Sequence, residues 1–138
     1  MKLSARNQFK GKVVDIQEGA VNGIVKIDIG GGNVMSATIS MNAIKELGLA
    51  EGKDAVAVIK ATEVMVATGD MTISARNKLA GKVTAVEKGA VNDIVKIDTA
   101  VGTVSATISD SAVAELGLEA GKDAVAVVKA TSVMVGVE

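Results

Sequence analysis

The chain has 138 residues, with 15 basic against 16 acidic side chains for a net charge of −1, and 49% of its residues are hydrophobic. It contains one Phe and no His, Cys, Pro, Trp or Tyr. Disulfides, thiolate nucleophiles, zinc–thiolate sites, imidazole ligands and histidine-based triads or general bases are therefore excluded. The flat charge balance and the lack of stacking aromatics argue against a nucleic-acid partner. No apolar run approaches the roughly 20 residues of a membrane helix, and the opening MKLSARNQFK lacks the apolar stretch of a signal peptide. The expectation is a cytoplasmic protein with an apolar core and no membrane partner.

The chain repeats itself. Ser4-Ala5-Arg6-Asn7 returns as Ser74-Ala75-Arg76-Asn77, and Gly19-Ala20-Val21-Asn22 as Gly89-Ala90-Val91-Asn92. After IVKID at 24–28 and 94–98 the second copy loses one residue; SATIS then recurs at 36–40 and 105–109, and GKDAVAV at 52–58 and 121–127. These matches define two tandem domains, 1–68 and 72–138. Units this small bury a modest share of their surface, so each is expected to lean on its sister and on further copies of the chain.

In chain order, residues 12–16 and 24–29 are rich in β-branched side chains and read as strands. Residues 34–39 read as a third strand, entered through a hairpin at Gly30-Gly31-Gly32. A short helix follows, capped by Ser40, apolar at Ala43, Ile44 and Leu47, and stopped by Gly48; in the second copy Ser109 or Asp110 caps and Gly117 stops it. Residues 54–60 and 64–66 close the unit as strands. The fold class is all-β: two tandem OB-like five-stranded β-barrels, each with one short helix.

Gly48-Leu49-Ala50-Glu51-Gly52-Lys53 is similar to a phosphate-binding loop but lacks its spacing, its Ser or Thr after the lysine, and its strand-then-helix context, so it reads as a helix stop and a turn. The triple glycine becomes Ala100-Val101-Gly102 in the second copy, a change that suits a hairpin better than a phosphate cradle. Asp15, Asp28, Glu46 and Asp54 lack partners for acid–base work, and the chain is not read as an enzyme.

Three elements remain that could hold a ligand. In extended chain Ser4 and Arg6 share a face. Lys60 ends the apolar strand VAVIK and adds an ammonium. The helix start after Ser40 exposes amides near Asn42, Ala43 and Ile44. The same set recurs as Ser74, Arg76, Lys129 and Ser109. Taken singly, each charge reads most simply as solvated surface, and GAVN as a tight turn. Taken together, one Arg and one Lys match the charge of a tetrahedral dianion. A set of donors without a carboxylate suits molybdate, tungstate or sulfate and disfavours hydrogen phosphate, whose proton needs an acceptor.

SARN with Gly11 and Val13 following, GAVN, TIS, ELGL, GK and VIKAT, in this order and in both copies, resemble the Mop family of molybdate-binding domains. The resemblance spans both halves; tandem members are small cytoplasmic molybdate-storage proteins. It implies a homotrimer of tandem chains, with oxyanion sites between barrels and no cofactor beyond the ligand, molybdate or tungstate; no metal cation is bound directly. One site type would use Ser4, Arg6, Lys60 and the Ala61 amide, with Ser40 and the amides near Ala43 and Ile44 from a neighbouring barrel. Its counterpart would use Ser74, Arg76, Lys129 and Ala130 with Ser109, Ala112 and Val113. A second type, on the threefold axis, would involve Ala20, Val21 and Asn22, or Ala90, Val91 and Asn92. Mop units also occur in a sensing regulator and in importer ATPases. The 138 residues carry no DNA-binding or ATPase domain, so the resemblance favours storage, with a molybdate-responsive interaction module as the alternative.

Overall fold

The first long strand explains how each barrel curls. In β1 (Asn7–Gln17) side chains alternate inward, with Phe9 and Val13 in the core, until the register slips between Val13 and Asp15 against β2 (Asn22–Gly30). The slip is held by two main-chain bonds, Gly52 N–H to the Val13 carbonyl at 2.8 Å and Val13 N–H to the Lys53 carbonyl at 2.9 Å. Such a bulge bends a strand and leaves one residue unpaired, and Val14 accordingly faces solvent. Gly11 allows the close crossing of β1 over β2: a Cβ there would sit 2.1 Å from the Asp28 carbonyl oxygen.

The computed structural model describes residues 2–138. After β2 come β3 (Asn33–Ser40), α1 (Met41–Glu46) and β4 (Asp54–Ile59), then a 3₁₀ turn at Ala61–Glu63 and β5 (Met65–Ala67). The second repeat gives β6 (Asn77–Glu87), β7 (Asn92–Thr99), β8 (Gly102–Ser109), α2 (Asp110–Leu116) and β9 (Asp123–Val128), then a 3₁₀ turn at Ala130–Ser132 and β10 (Met134–Gly136). The β2–β3 hairpin turns through Gly30, Gly31 and Gly32, all at positive φ. In the shorter β7–β8 hairpin Thr99 Oγ1 takes over, donating to the Gly102 carbonyl at 2.7 Å and accepting from the Val101 amide at 3.2 Å.

The two five-stranded sheets run β10-β4-β1-β2-β3 and β5-β9-β6-β7-β8. The repeats thus trade their last strands. The 64–66 segment, read from sequence as closing its own unit, pairs instead with β9 of the other barrel (Met65 opposite Val127), and Met134 pairs with Val58 of β4. Each traded strand also meets the far edge of its adopted sheet, β10 near β3 and β5 near β8, which rolls both sheets into barrels. A single apolar core runs through both, from Phe9, Ile27 and Met35 to Leu79, Ile97 and Val104.

Candidate oxyanion site

The chain crosses from one barrel to the other at Lys60, between β4 and the turn at Ala61–Glu63, which packs on β8. Ser4, Ala5 and Arg6 lead into β1 beside this crossing. The result is an open hollow of 420 Å³ lined by Ser4, Arg6, Lys60, Ala61 and Thr62, and also by Thr107 of β8 and Met134 of β10. Its twin, 410 Å³, gathers Ser74, Arg76, Lys129, Ala130 and Thr131 with Met65 of the traded β5. The 3₁₀ turn bonds Glu63 N–H to the Lys60 carbonyl and Val64 N–H to the Ala61 carbonyl, so neither bond uses the amides of Ala61 and Thr62.

Among the described residues no carboxylate lines either hollow, and each holds one guanidinium, one ammonium and hydroxyl donors. Fixed donors and paired positive charge are what a doubly charged oxyanion requires. Two larger hollows, of 540 and 580 Å³, lie on the β1–β4 and β6–β9 faces. Each contains a carboxylate already paired with its lysine, Lys12–Asp54 in one and Lys82–Asp123 in the other. The Lys12 ammonium, by its hydrogen bond and its charge, holds the Asp54 carboxyl below the usual carboxylate range. Their lysines are accompanied by carboxylates, which repel an anion.

The helix starts lie apart from both hollows within the chain. Ser40 caps α1, its Oγ accepting from the Ala43 amide at 3.0 Å, and Ser109 caps α2, accepting from the Ala112 amide at 3.1 Å. Ile44 and Val113 point their side chains into the core. Val21 and Val91 place their carbonyls over the first helical amides, accepting from Met41 at 2.8 Å and Asp110 at 2.9 Å. Both GAVN loops are therefore main-chain caps for the helices. They are tight: a Cβ on Gly19 would sit 2.3 Å from the Asn22 carbonyl oxygen. Ala20, Val21 and Asn22, like Ala90, Val91 and Asn92, are exposed at the loop tips.

The two loops differ beneath the surface. Where the first repeat has Glu18, Gly23 and Met41, the second has Lys88, Asp93 and Asp110. Asp93 is fully buried; its Oδ1 accepts from the Gly89 amide at 2.9 Å, and its Oδ2 lies 3.4 Å from Lys88 Nζ without an aligned hydrogen bond. Lys88 also bonds Asp110 at 3.0 Å. The Gly89 amide, against the cost of burial and with help from Asp110 and Lys88, holds Asp93 below the ordinary carboxylate range. Asp110 in turn raises Lys88 above the usual lysine value.

Sequence reasoning missed Thr107, Met134 and Met65 as walls of the hollows. Their signal is the strand trade, which no spacing in one repeat reveals.

The TOBE domain description matches residues 3–66 and again 73–135. The chain belongs to the TOBE-domain family. A single stretch of 66 residues, about one TOBE unit, is 68% identical to a probable molybdenum-pterin-binding protein of Haemophilus influenzae, a match covering 48% of the chain and 96% of that protein. The tandem pair is 38% identical to the molybdenum transport protein ModE of Herbaspirillum seropedicae, with all of the chain matching 52% of ModE. Both TOBE barrels superpose on the cytoplasmic molybdate-binding protein ModG, solved with molybdate bound, at a TM-score of 0.96 and 45% identity with both chains fully covered.

Proposed function

We propose that this chain binds molybdate, and tungstate by the same chemistry, reversibly in its two crossover hollows, and serves as a non-enzymatic cytoplasmic store. The observation that carries the reading is the doubled donor set: Ser4, Arg6, Lys60 and the Ala61 amide in one hollow, and Ser74, Arg76, Lys129 and the Ala130 amide in the other, with no carboxylate in either wall. The two positive charges balance the dianion, and oriented donors replace its water. Likeness to ModG over the whole chain, together with molybdenum-pterin-binding relatives, supports the same ligand class.

In this reading the open side of each hollow is closed by another copy of the chain in a homotrimer. The neighbour brings a capped helix start, Ser40 with Ala43 and Ile44 or Ser109 with Ala112 and Val113. Val21 at 74% and Val91 at 72% exposure stand beside these helix starts and supply apolar surface for such a contact. A further oxyanion site on the threefold axis would use the GAVN tips, with Asn22 or Asn92 contributing.

Isothermal titration of molybdate tests the ligand assignment. Wild type takes up molybdate, and the Lys60→Ala/Lys129→Ala variant, with an unchanged circular dichroism spectrum, loses most of that binding. Equal binding by the two proteins would overturn the assignment.

A second reading, a molybdate-responsive interaction module, is favoured by one observation: the whole chain aligns with half of ModE. Pull-downs with and without molybdate separate the readings. Storage requires no ligand-dependent protein partner.

A further inference from the structure

Asn7 and Asn77 are the polar side chains most deeply placed beside the hollows, at 1% and 3% exposure. Neither is in the core for packing alone. Asn7 Nδ2 donates to the Ser105 carbonyl at 2.8 Å, while its Oδ1 accepts from the Ser105 amide at 2.8 Å. Asn77 makes the same pair of bonds to Ser36, both at 2.8 Å. Ser105 lies on β8 and Ser36 on β3, the edge strands of the two sheets. Each carboxamide thus behaves as one more peptide unit laid along the edge strand of the other barrel.

The placement matters for the hollow. Asn7 directly follows Arg6, and Thr107 follows Ser105 by two residues on the same strand. Arg6 and Thr107 both line the 420 Å³ hollow. The paired bonds of Asn7 therefore tie the wall carrying the guanidinium, from one barrel, to the wall carrying Thr107, from the other. Asn77 follows Arg76 and ties its segment to Ser36 of β3 by the same pair of bonds, although the 410 Å³ hollow itself is lined by Met65 of β5 and not by β3.

We infer that Asn7 and Asn77 are positioning residues for oxyanion capture, each fixing the spacing of one hollow by locking its Ser-Ala-Arg segment to the edge strand of the opposite barrel. This rests on the reading of the hollows as oxyanion sites. A donor set is effective only while its members are held to within a fraction of an ångström. A carboxamide bonded at both ends fixes distance and twist together, which a hydroxyl or an apolar side chain does not.

The inference is local, which makes it separable from a general effect on folding. Lys129→Ala leaves only the first hollow competent, and Lys60→Ala only the second. In the Lys129→Ala background, Asn7→Leu (similar in size, without hydrogen-bonding groups) weakens molybdate binding by about tenfold or more, the scale on which groups behind a ligand set act. Asn77→Leu in that background leaves the affinity within twofold. In the Lys60→Ala background the two variants exchange roles. Equal weakening by both, or by neither, overturns the inference. Failure of the wild type to bind molybdate overturns the underlying reading instead. Asn7→Ser and Asn77→Ser repeat the comparison with a smaller polar group. If neither the Leu nor the Ser variants reach a folded state, the two residues are requirements of folding, and the positioning role is likewise overturned.

Discussion

Lys53 reaches back over the end of α1 and donates from Nζ to the Leu47 carbonyl at 2.7 Å, and Lys122 does the same to Leu116 at 2.9 Å. Terminal helix carbonyls lack intrahelical donors and carry partial negative charge, so an ammonium there closes the helix and offsets its dipole. The lysine of the GK motif, which invites a phosphate-loop reading, is thus a helix clasp. Replacing Lys53 and Lys122 by Ala is expected to destabilise the fold by about 1 kcal/mol for each lost bond. Molybdate affinity is expected to stay the same. Thermal unfolding and titration on one preparation check both statements; a large loss of affinity would show that these lysines serve the ligand.

The buried Asp93 predicts a repeat-specific acid sensitivity. Its folded-state pKa is depressed, with the Gly89 amide as the leading cause. Its stabilising contribution is therefore fully present above the unfolded value, near 3.9, and is lost as pH falls through the lower folded value. Acid unfolding followed by circular dichroism should show a shallower decline for Asp93→Asn than for wild type below about pH 4. Identical acid limbs would mean that Asp93 contributes no charge-dependent stability.

Traded strands predict that damage at one end of the chain appears in the other repeat's barrel. Shortening the chain after Ser132 removes β10, whose partner is β4. Hydrogen exchange should then rise at Val56 and Val58 of the first barrel, while Val125 and Val127, paired with β5, keep their protection. Loss of protection at Val125 and Val127 in place of Val56 and Val58 would contradict the observed pairing.

The carboxylate-free, cationic lining of the hollows predicts discrimination by protonation. Hydrogen phosphate carries a proton that requires an acceptor, and the hollow walls carry no carboxylate to receive it. At neutral pH phosphate is expected to give no saturable titration under conditions where molybdate does. Competition at equal concentration of the two anions would refute this.

Much of this was legible in the residues. Alternating β-branched segments and the glycine-rich hairpin placed the strands, because a period of two with a turn signal leaves little choice. Ser40 and Gly48 announced the short helix through capping chemistry. Ser4, Arg6 and Lys60 stood out because they combine donors and charge at recurring positions, and they share one hollow. The trade of β5 and β10 was not legible. Met65 and Met134 occupy equivalent positions in near-identical repeats, so either sheet offers either strand the same edge. What decides is the path of the chain at Lys60 and Lys129, a tertiary property. The role of Asp93 was hidden for another reason: a lone Asp at the start of a strand signals nothing until Lys88 and Asp110 are seen around it.

The pairing of β10 with β4 also sets an order of events at the ribosome. The first barrel lacks its outer strand until residues 134–136 have been made. At roughly 5–20 residues per second, translation of the second repeat takes several seconds. Throughout that interval the β4 edge lacks its final partner, and its main-chain groups are open to β5 or to a neighbouring polypeptide. Two chains emerging from one polysome could exchange this strand with each other, so slow translation or crowded synthesis favours interlinked products over correctly closed ones.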